Sequence, residues 1–364
     1  MQTFFDYLNA HIVFSGSVWV IIAVFIIGGI ALLKSSADWF VSGAANLGIR
    51  FGMSSVLVGL TIVAFGTSAP ELVVSIVTAL KGRPQICLGN VIGSNSVNVG
   101  LALGLAVLIF PFRAKKKSAF IDSPLSLGSI LLVMILAWLP FSQPEISRLD
   151  GAILLVLFVI WMVQITRMNL KKNKGEPAVP FIESTTAIPS PAADEPDDEI
   201  VFKKRHIAVD GLLLLGGLLA LILSADALVA GGVKAAQLIG VSDAVIGLTI
   251  IAIGTSLPEI AVSVTAALKG QSDIALGNVL GSNIFNALFI LGTATAIRPI
   301  EFLMDSDAKT NDIAVMHIDI PFCAGLSLAL AVLMLMGRDM KRWKGGLLAG
   351  SYALYLAWLI VRHT

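Results

Sequence analysis

Ten apolar segments of membrane-spanning length divide this 364-residue chain, and they restrict its fold more than any other feature. A helix needs about 20 apolar residues to cross a bilayer. In lipid an isolated span must be helical, because only a helix satisfies its own backbone hydrogen bonds. We therefore predict an all-α polytopic membrane protein. The predicted spans cover residues 18–47, 54–81, 86–110, 122–140, 149–168, 206–238, 243–269, 275–297, 312–336 and 344–362.

The composition agrees with a chain that lies almost wholly in the bilayer. Hydrophobic residues make up 56% of the sequence and charged residues only 13%, whereas a soluble domain carries about 25% charged residues. A net charge of +1 argues against a nucleic-acid partner. Cys87 and Cys323 both lie in apolar stretches, and we expect them to be buried free thiols.

A polar, Pro-rich stretch divides the spans five and five. We predict an N-terminal tail at 1–17, a first five-helix repeat at 18–168, a linker at 169–205 and a second five-helix repeat at 206–364. The composition of the linker is typical of a disordered segment. Its acidic run at 194–199 is interpreted as solvated charge, with a regulatory cation site as the weaker alternative.

Lysine and arginine predict the orientation of the spans. Connections after the odd-numbered spans carry 17 of these residues, and the opposite side carries 6. Because positive residues stay on the cytoplasmic side, we expect the linker to be cytoplasmic and both termini to lie outside.

Residues 59–98 repeat at 247–286, an offset of 188 positions, with 25 of 40 residues identical and no gap. "GTSAPE" at 66–71 answers "GTSLPE" at 254–259, and "GNVIGSN" at 89–95 answers "GNVLGSN" at 277–283. Five spans per repeat is an odd number, so the second repeat enters the membrane from the opposite side. Inverted repeats are typical of secondary transporters, whose sites lie near the bilayer midplane between the repeats.

The first motif places an acid beside a proline inside each span, Glu71 after Pro70 and Glu259 after Pro258. Proline removes one backbone donor and crowds the carbonyl four residues earlier. We therefore expect carbonyls near the start of each motif to turn away from the helix. The candidate oxygen ligands in these spans are those of Ala64, Thr67, Ser68 and Glu71, and of Ala252, Thr255, Ser256 and Glu259.

The second motif adds polar side chains at helical spacing. Ser94 and Asn98 are four residues apart and share a helix face, as do Ser282 and Asn286. The small-xxx-small glycines of the same spans permit close helix approach. They are Gly89, Gly93, Gly277 and Gly281.

Every group in this set binds through oxygen, as hard cations require. One Ca²⁺ or two Na⁺ would neutralise the two carboxylates, and competition for one site is the requirement for antiport. We predict no enzyme activity and no cofactor. A passive cation channel and an intramembrane enzyme are weaker alternatives, because the carboxylate site is nearly symmetric and the spans contain no HExxH motif.

Four further acids in the spans carry weaker signals. Asp38 and Asp226 are interpreted as structural hydrogen-bonding groups, with a secondary ion or proton site as the alternative. Asp122 and Asp319 each precede a proline by two residues and are predicted to cap helices.

The paired motifs resemble the two alpha-repeats of the sodium/calcium exchanger family, and the short linker resembles the prokaryotic type. The resemblance implies that Glu71 and Glu259 are the shared central ligands and that Thr67 and Thr255 give carbonyl oxygens to calcium. It also implies two mirrored sodium sites with Asn98 and Asn286 between them. One consists of the Ala64 carbonyl, Ser94, Ser256 and Glu71, and the other of the Ala252 carbonyl, Ser282, Ser68 and Glu259.

The same resemblance implies sodium entry coupled to calcium exit, with the first and sixth helices sliding across the other eight. The expected surroundings are the lipid bilayer of a prokaryotic cytoplasmic (inner) membrane, with no obligate protein partner. Some relatives carry aspartate where this chain has Asn286, and the amide makes potassium co-transport less expected. The coupling ion stays open between Na⁺ and H⁺, so a calcium/proton antiporter is the alternative, although the GNxxE motif of those exchangers is missing.

Overall fold

The computed structural model describes residues 15–138, 145–172, 205–239, 252–301 and 315–363. The predicted tail up to residue 14, most of the linker with its acidic run, and the start of the seventh predicted span lie outside the described residues. Nearly all of the described chain is helical.

The helices follow the predicted spans closely. The first repeat contains α1 (Ser15–Arg50), α2 (Ser55–Thr67), α3 (Ala69–Leu80), α4 (Pro84–Ile109), α5 (Ser118–Trp138) and α6 (Arg148–Lys172). The second contains α7 (Ile207–Leu238), α8 (Ala252–Thr255), α9 (Leu257–Leu268), α10 (Ser272–Ile297), α11 (Val315–Asp319 continuing as Ile320–Leu335) and α12 (Arg342–His363).

Eight of the described helices are long and apolar enough to cross a membrane, and α2 with α3 form a ninth span that is bent by 46°. The short helices α8 and α9 are the described part of the remaining predicted span. The prediction of an all-helical polytopic membrane protein is confirmed.

Four two-residue strands show that the repeats are inverted. β1 (Phe112–Arg113), between α4 and α5, pairs with β4 (Asp339–Met340), between α11 and α12. β2 (Glu145–Ile146), between α5 and α6, pairs with β3 (Ile300–Glu301), between α10 and α11. The loops of β1 and β3 are equivalent in the two repeats, yet they lie at opposite ends of α5. The repeats therefore run through the bundle in opposite directions.

Both repeats contain π-helical turns, which match in α4 and α10 and in α5 and α11. These turns are Gly59–Val63 in α2, Asn98–Leu103 in α4, Ser118–Asp122 in α5, Phe285–Ile290 in α10 and Val315–Asp319 in α11. Such turns insert one extra residue and concentrate at functional sites. Those of α5 and α11 directly precede Pro124 and Pro321, where a regular helix would clash with the ring.

The predicted capping role of Asp122 and Asp319 is wrong, because each helix begins before its acid, with a π turn that includes the acid as its last residue. Asp319 makes no side-chain capping bond, and its Oδ1 accepts a hydrogen bond from the Tyr355 hydroxyl at 2.5 Å. Asp122 lies 3.8 Å from the ammonium of Lys117. Asp319 therefore contacts α12 from within its helix, whereas Asp122 lies near a residue that directly precedes its own helix.

The central helix of the bundle is α10, which is almost wholly buried, whereas only a small part of α1 and of α7 is buried. α1 and α7 pack against each other at the margin, where a Cβ on Gly43 would lie 2.5 Å from the Leu214 nitrogen. Their ends are joined by Arg50, whose Nε lies 3.0 Å from the buried Asp210 carboxylate. Asn46 donates to the other oxygen of Asp210 at 3.0 Å.

Glycine lets α2 and α10 touch through their backbones, as the sequence predicts. A Cβ on Gly277 would lie 2.9 Å from the Val56 carbonyl oxygen, and one on Gly281 would lie 2.7 Å from the Leu60 Cα. For Gly89 and Gly93, no described residue lies within 4 Å of such a Cβ. The close approach is therefore established for α10, and the equivalent prediction for α4 remains a prediction.

We expect Gly281→Ala to lower the thermal unfolding midpoint in detergent by the equivalent of about 1–3 kcal/mol, because backbone atoms of α2 cannot yield to the added methyl. Gly325→Ala, in α11, is the matched control, since Gly325 is exposed and no described residue approaches its Cβ position. Equal midpoints for the two variants would contradict the close packing of α2 on α10.

Candidate functional site

Both motif prolines begin a helix and do not interrupt one. α2 ends at Thr67, Ser68 takes a non-helical ψ of 7°, and α3 starts at Ala69 with Pro70 in its first turn. Proline is tolerated there because the first N–H groups of a helix have no intrahelical acceptor. The second repeat breaks in the same way at Ser256, with a ψ of 8°.

The two breaks place the glutamates in the first turns of α3 and α9. Glu71 and Glu259 are fully buried, each with 0% of its surface exposed. The positive end of a helix dipole favours a carboxylate at this position. The breaks thus bring two acids to the middle of the bundle, each at the start of a half-helix.

Each carboxylate accepts a hydrogen bond from a serine through one oxygen. Ser68 Oγ donates to Glu259 Oε1 at 3.1 Å, across the boundary between the repeats. Ser94 Oγ donates to Glu71 Oε1 at 3.5 Å. The contact between Ser68 and Glu259 joins the two motifs into one site.

Asparagines hold the backbone of each glutamate. Asn90 donates to the Glu71 carbonyl oxygen at 3.4 Å and to Ser75 Oγ at 3.3 Å. In the second repeat, Asn278 donates to the Glu259 carbonyl oxygen at 3.4 Å and to its own serine, Ser263, at 3.0 Å. The same support therefore occurs in both repeats.

Four buried asparagines connect α4 and α10 where the helices cross. Asn98 Nδ2 donates to Asn283 Oδ1 at 3.1 Å, and Asn286 Nδ2 donates to Asn95 Oδ1 at 3.0 Å. Asn95 Nδ2 also donates to the Asn283 carbonyl oxygen at 3.1 Å. Because these bonds use the amide nitrogens of Asn98 and Asn286, their Oδ1 atoms remain available.

Several buried oxygens at this centre have no hydrogen-bond partner in the described part of the chain. They are Glu71 Oε2, Glu259 Oε2, Ser256 Oγ, Ser282 Oγ, Asn98 Oδ1 and Asn286 Oδ1. A buried polar atom without a partner is costly, as is a buried carboxylate without a counter-charge. The described residues supply no ion pair to either glutamate, since their salt bridges involve other acids. Unpaired acceptors around two acids suit a bound hard cation.

The structure changes the prediction for the backbone ligands. The Ala64 carbonyl oxygen accepts a hydrogen bond from the Ser68 nitrogen at 3.1 Å, so it stays within the helix. In the second repeat the equivalent nitrogen of Ser256 donates to the Ile253 oxygen and not to Ala252. The hydrogen bond of the second repeat therefore closes a turn that is one residue shorter. The Ser256 N–H does not hold the Ala252 carbonyl as the Ser68 N–H holds the Ala64 carbonyl.

The remaining predicted residues lie at the two breaks and in α10. Thr67 is buried at the end of α2, and its side chain donates to Asn278 Oδ1 at 3.1 Å. Thr255 is half-buried at the end of α8, and Ala252 begins that helix. Ser282, in α10, is fully buried.

Sequence reasoning missed four supporting asparagines, namely Asn90, Asn95, Asn278 and Asn283. A signal was present, because each is identical at the equivalent position of the other repeat. A buried polar residue that recurs in both repeats has a partner to satisfy in each, and this criterion would have found them.

Comparison with known proteins agrees with the cation site that the geometry indicates. The sodium/calcium exchanger protein family matches residues 21–167 and 210–361. The chain belongs to the sodium/calcium exchanger family. Its members carry out cation/calcium exchange by antiport across a membrane, so this exchanger is a transporter and not an enzyme.

Relatives match over nearly the whole exchanger. The putative antiporter CaxA of Alkalimonas amylolytica is 37% identical, covering 82% of this chain and 86% of that protein. The sodium/calcium exchanger MaX1 of Methanosarcina acetivorans is 31% identical over 90% of this chain and 95% of its own. The solved structure of the sodium-calcium exchanger NCX_Mj soaked with 10 mM Na⁺ and zero Ca²⁺ superimposes with a TM-score of 0.71 at 28% identity, covering 93% of this chain and 98% of that one.

We expect Ca²⁺ to raise the thermal unfolding midpoint of the purified exchanger, because a ligand bound only by the folded state stabilises it by about 2.7 kcal/mol at 100 times its Kd. Glu71→Gln and Glu259→Gln should abolish this increase. In ion-free buffer both variants should unfold no earlier than the unsubstituted protein, since each removes a buried charge. Glu301→Gln, at an exposed acid, should keep the increase. A full Ca²⁺ effect in either buried-site variant would rule out the glutamate pair as the site.

Proposed function

We propose that this exchanger is a sodium/calcium antiporter that works by alternating access. The pair of buried glutamates without counter-charge supports this proposal most strongly. Two carboxylates carry a charge of −2, which one Ca²⁺ or two Na⁺ would neutralise. The empty site, with two ionised carboxylates, is costly to occlude in the low-dielectric interior. Cations must therefore neutralise the carboxylates before the site is occluded, and this requirement enforces exchange.

We assign the ligands as the sequence predicts, except that the Ala64 carbonyl is given a smaller part. Glu71 and Glu259 are the shared ligands, and the hydroxyls of Ser94 and Ser256, and of Ser282 and Ser68, complete the two flanking sodium sites. Asn98 and Asn286 contribute their free Oδ1 atoms to the middle. The backbone oxygens of Thr67 and Thr255 join the calcium site. The Ala64 carbonyl is a weaker ligand than that of Ala252, because the Ser68 N–H already donates a hydrogen bond to it.

We further propose that sodium moves inward and calcium outward across a prokaryotic cytoplasmic membrane. The positive-inside distribution of Lys and Arg supports a cytoplasmic linker at 169–205 and external termini, including the tail at 1–17. The five-helix repeats would then be 18–168 and 206–364. The prokaryotic relatives support the location, since one that is 32% identical is the inner membrane protein YrbG of Escherichia coli.

Calcium/proton antiport is the alternative, because the chemistry of the site is also compatible with protons as the coupling ion. Protons could neutralise the two buried carboxylates in place of sodium, without any change of ligand set. The presence of Asn286 in place of an acid removes one further protonatable group from the centre.

Calcium uptake into proteoliposomes distinguishes these functions. In vesicles loaded with Na⁺, an outward sodium gradient should drive Ca²⁺ uptake. Glu71→Gln or Glu259→Gln should reduce this uptake to the level of vesicles without protein. A pH gradient without sodium should drive none. Uptake that follows the pH gradient and ignores sodium would replace the proposal with calcium/proton antiport, and conductance without counter-transport would establish a channel.

A double-mutant cycle tests the proposed ligand role of Asn286. Asn95→Leu removes the acceptor that holds the Asn286 amide, so it should raise the KM for Ca²⁺ at least severalfold, as should Asn286→Ala. If Asn95 acts by orienting Asn286, the double variant should be no worse than Asn286→Ala alone. Effects that multiply would show that Asn95 acts elsewhere, and unfolding midpoints measured in parallel would identify a merely structural loss.

A further inference from the structure

Lys269 ties the end of α9 to the marginal helix α1. Its Nζ lies 3.0 Å from Asp38 Oδ1 and donates to the Asp38 carbonyl oxygen and to Ser42 Oγ, each at 3.0 Å. The predicted structural role of Asp38 is thereby supported. No ligand of the proposed cation site takes part in this contact, which connects a half-helix of that site to a helix at the edge of the bundle.

The other repeat has the same residues but a different contact. The offset of 188 positions pairs Lys269 with Lys81 and Asp38 with Asp226. The turns that present the lysines are alike, since the following glycines, Gly82 and Gly270, have φ values of 79° and 70°. Lys81 and Asp226 are both exposed, and among the described salt bridges none joins them.

The two lysine turns lie at opposite ends of the bundle. Asp273, just after Lys269, pairs at 2.8 Å with Lys115 in the loop that carries β1. Gln85, just after Lys81, donates to the Glu301 carbonyl oxygen in β3 at 3.1 Å. Since the β1 and β3 loops are at opposite ends, one lysine faces each side of the membrane.

We propose that Lys269–Asp38 and Lys81–Asp226 form an alternating ion lock, in which one pair closes while the other opens. This inference rests on the proposed alternating access. In the opposite state, each inverted repeat takes the conformation that the other repeat had. Lys81 then contacts Asp226 of α7, as Lys269 contacts Asp38 of α1 in the described state. The described state has the Lys269 lock closed, which closes the cytoplasmic side in the proposed orientation.

The lock is unequal in the two repeats. Ser42 supplies a third contact to Lys269, whereas its counterpart on α7 is Ala230, which has no hydroxyl. Exposed ion pairs change an equilibrium by at most about fivefold. The lock therefore biases the exchanger modestly toward the outward-facing state without holding it there, as a carrier that must cycle requires.

Single substitutions should shift the sidedness of calcium binding in opposite directions. In oriented proteoliposomes, Lys269→Gln should raise the apparent Kd for Ca²⁺ on the outer side and lower it on the cytoplasmic side, by up to about fivefold. Lys81→Gln should do the reverse, although its side chain makes no described ion pair. Lys34→Gln, one turn before Asp38 on α1, makes the same charge change outside both pairs and should shift neither. No effect of Lys81→Gln, or an effect in the same direction as Lys269→Gln, would overturn the lock.

Cross-linking tests the contacts directly. A short bifunctional thiol reagent should join Asp38→Cys to Lys269→Cys in one protein and Asp226→Cys to Lys81→Cys in another, and each link should stop exchange. A protein with all four substitutions should form either link but not both, and the natural cysteines are buried. Failure of the second pair to link in an actively exchanging protein, or formation of both links at once, would refute the proposal. Mutually exclusive links without sodium-driven uptake would instead show that the ion assignment is wrong and that the lock stands.

Discussion

Two carboxylates buried without a counter-charge are the constraint on which the rest of this structure depends. Glu71 and Glu259 have no exposed surface, and no described cationic side chain pairs with them. Such a site is tolerable only if the protein offers partial positive charge and a cation completes it. The broken helices provide the first requirement, because they bring two helix N-termini to the acids. The unpartnered oxygens around them provide ligands for the second.

The supporting parts of the structure hold this pair in place. Asn90 and Asn278 fix the backbone at each glutamate, and Ser68 reaches from one repeat to the carboxylate of the other. Glycine backbones bring α2 within contact of α10, the most buried helix. The margin of the bundle differs, since α1 and α7 face mostly outward. The described centre is therefore more deeply buried than these two marginal helices.

The sequence predicted much of this centre and failed at identifiable points. Span lengths, the repeat and the glutamates were predictable because each depends on composition or on identity between two segments. The capping roles of Asp122 and Asp319 were wrong because a π turn, which no local pattern announced, extended each helix past its acid. The Ala64 carbonyl was expected to be free, but the break falls at Ser68 and leaves that hydrogen bond intact. The asparagine contacts between α4 and α10 were missed because their partners are 185 to 191 residues away in the chain.

By itself, the sequence determined that the chain crosses the membrane many times, that its halves are inverted copies, and that each copy carries one costly acid beside a proline in a span. These features follow from hydropathy, an odd number of spans per repeat and residue chemistry, none of which requires coordinates. Only the tertiary structure decided that the acids meet across the repeats, which amide oxygens remain unpaired, and that Lys269 holds Asp38 while its counterpart holds nothing described. The physical reason is that identical segments place identical groups at opposite ends of the bundle. The described conformation forms the lysine contact at one of these ends, and the sequence does not record at which one.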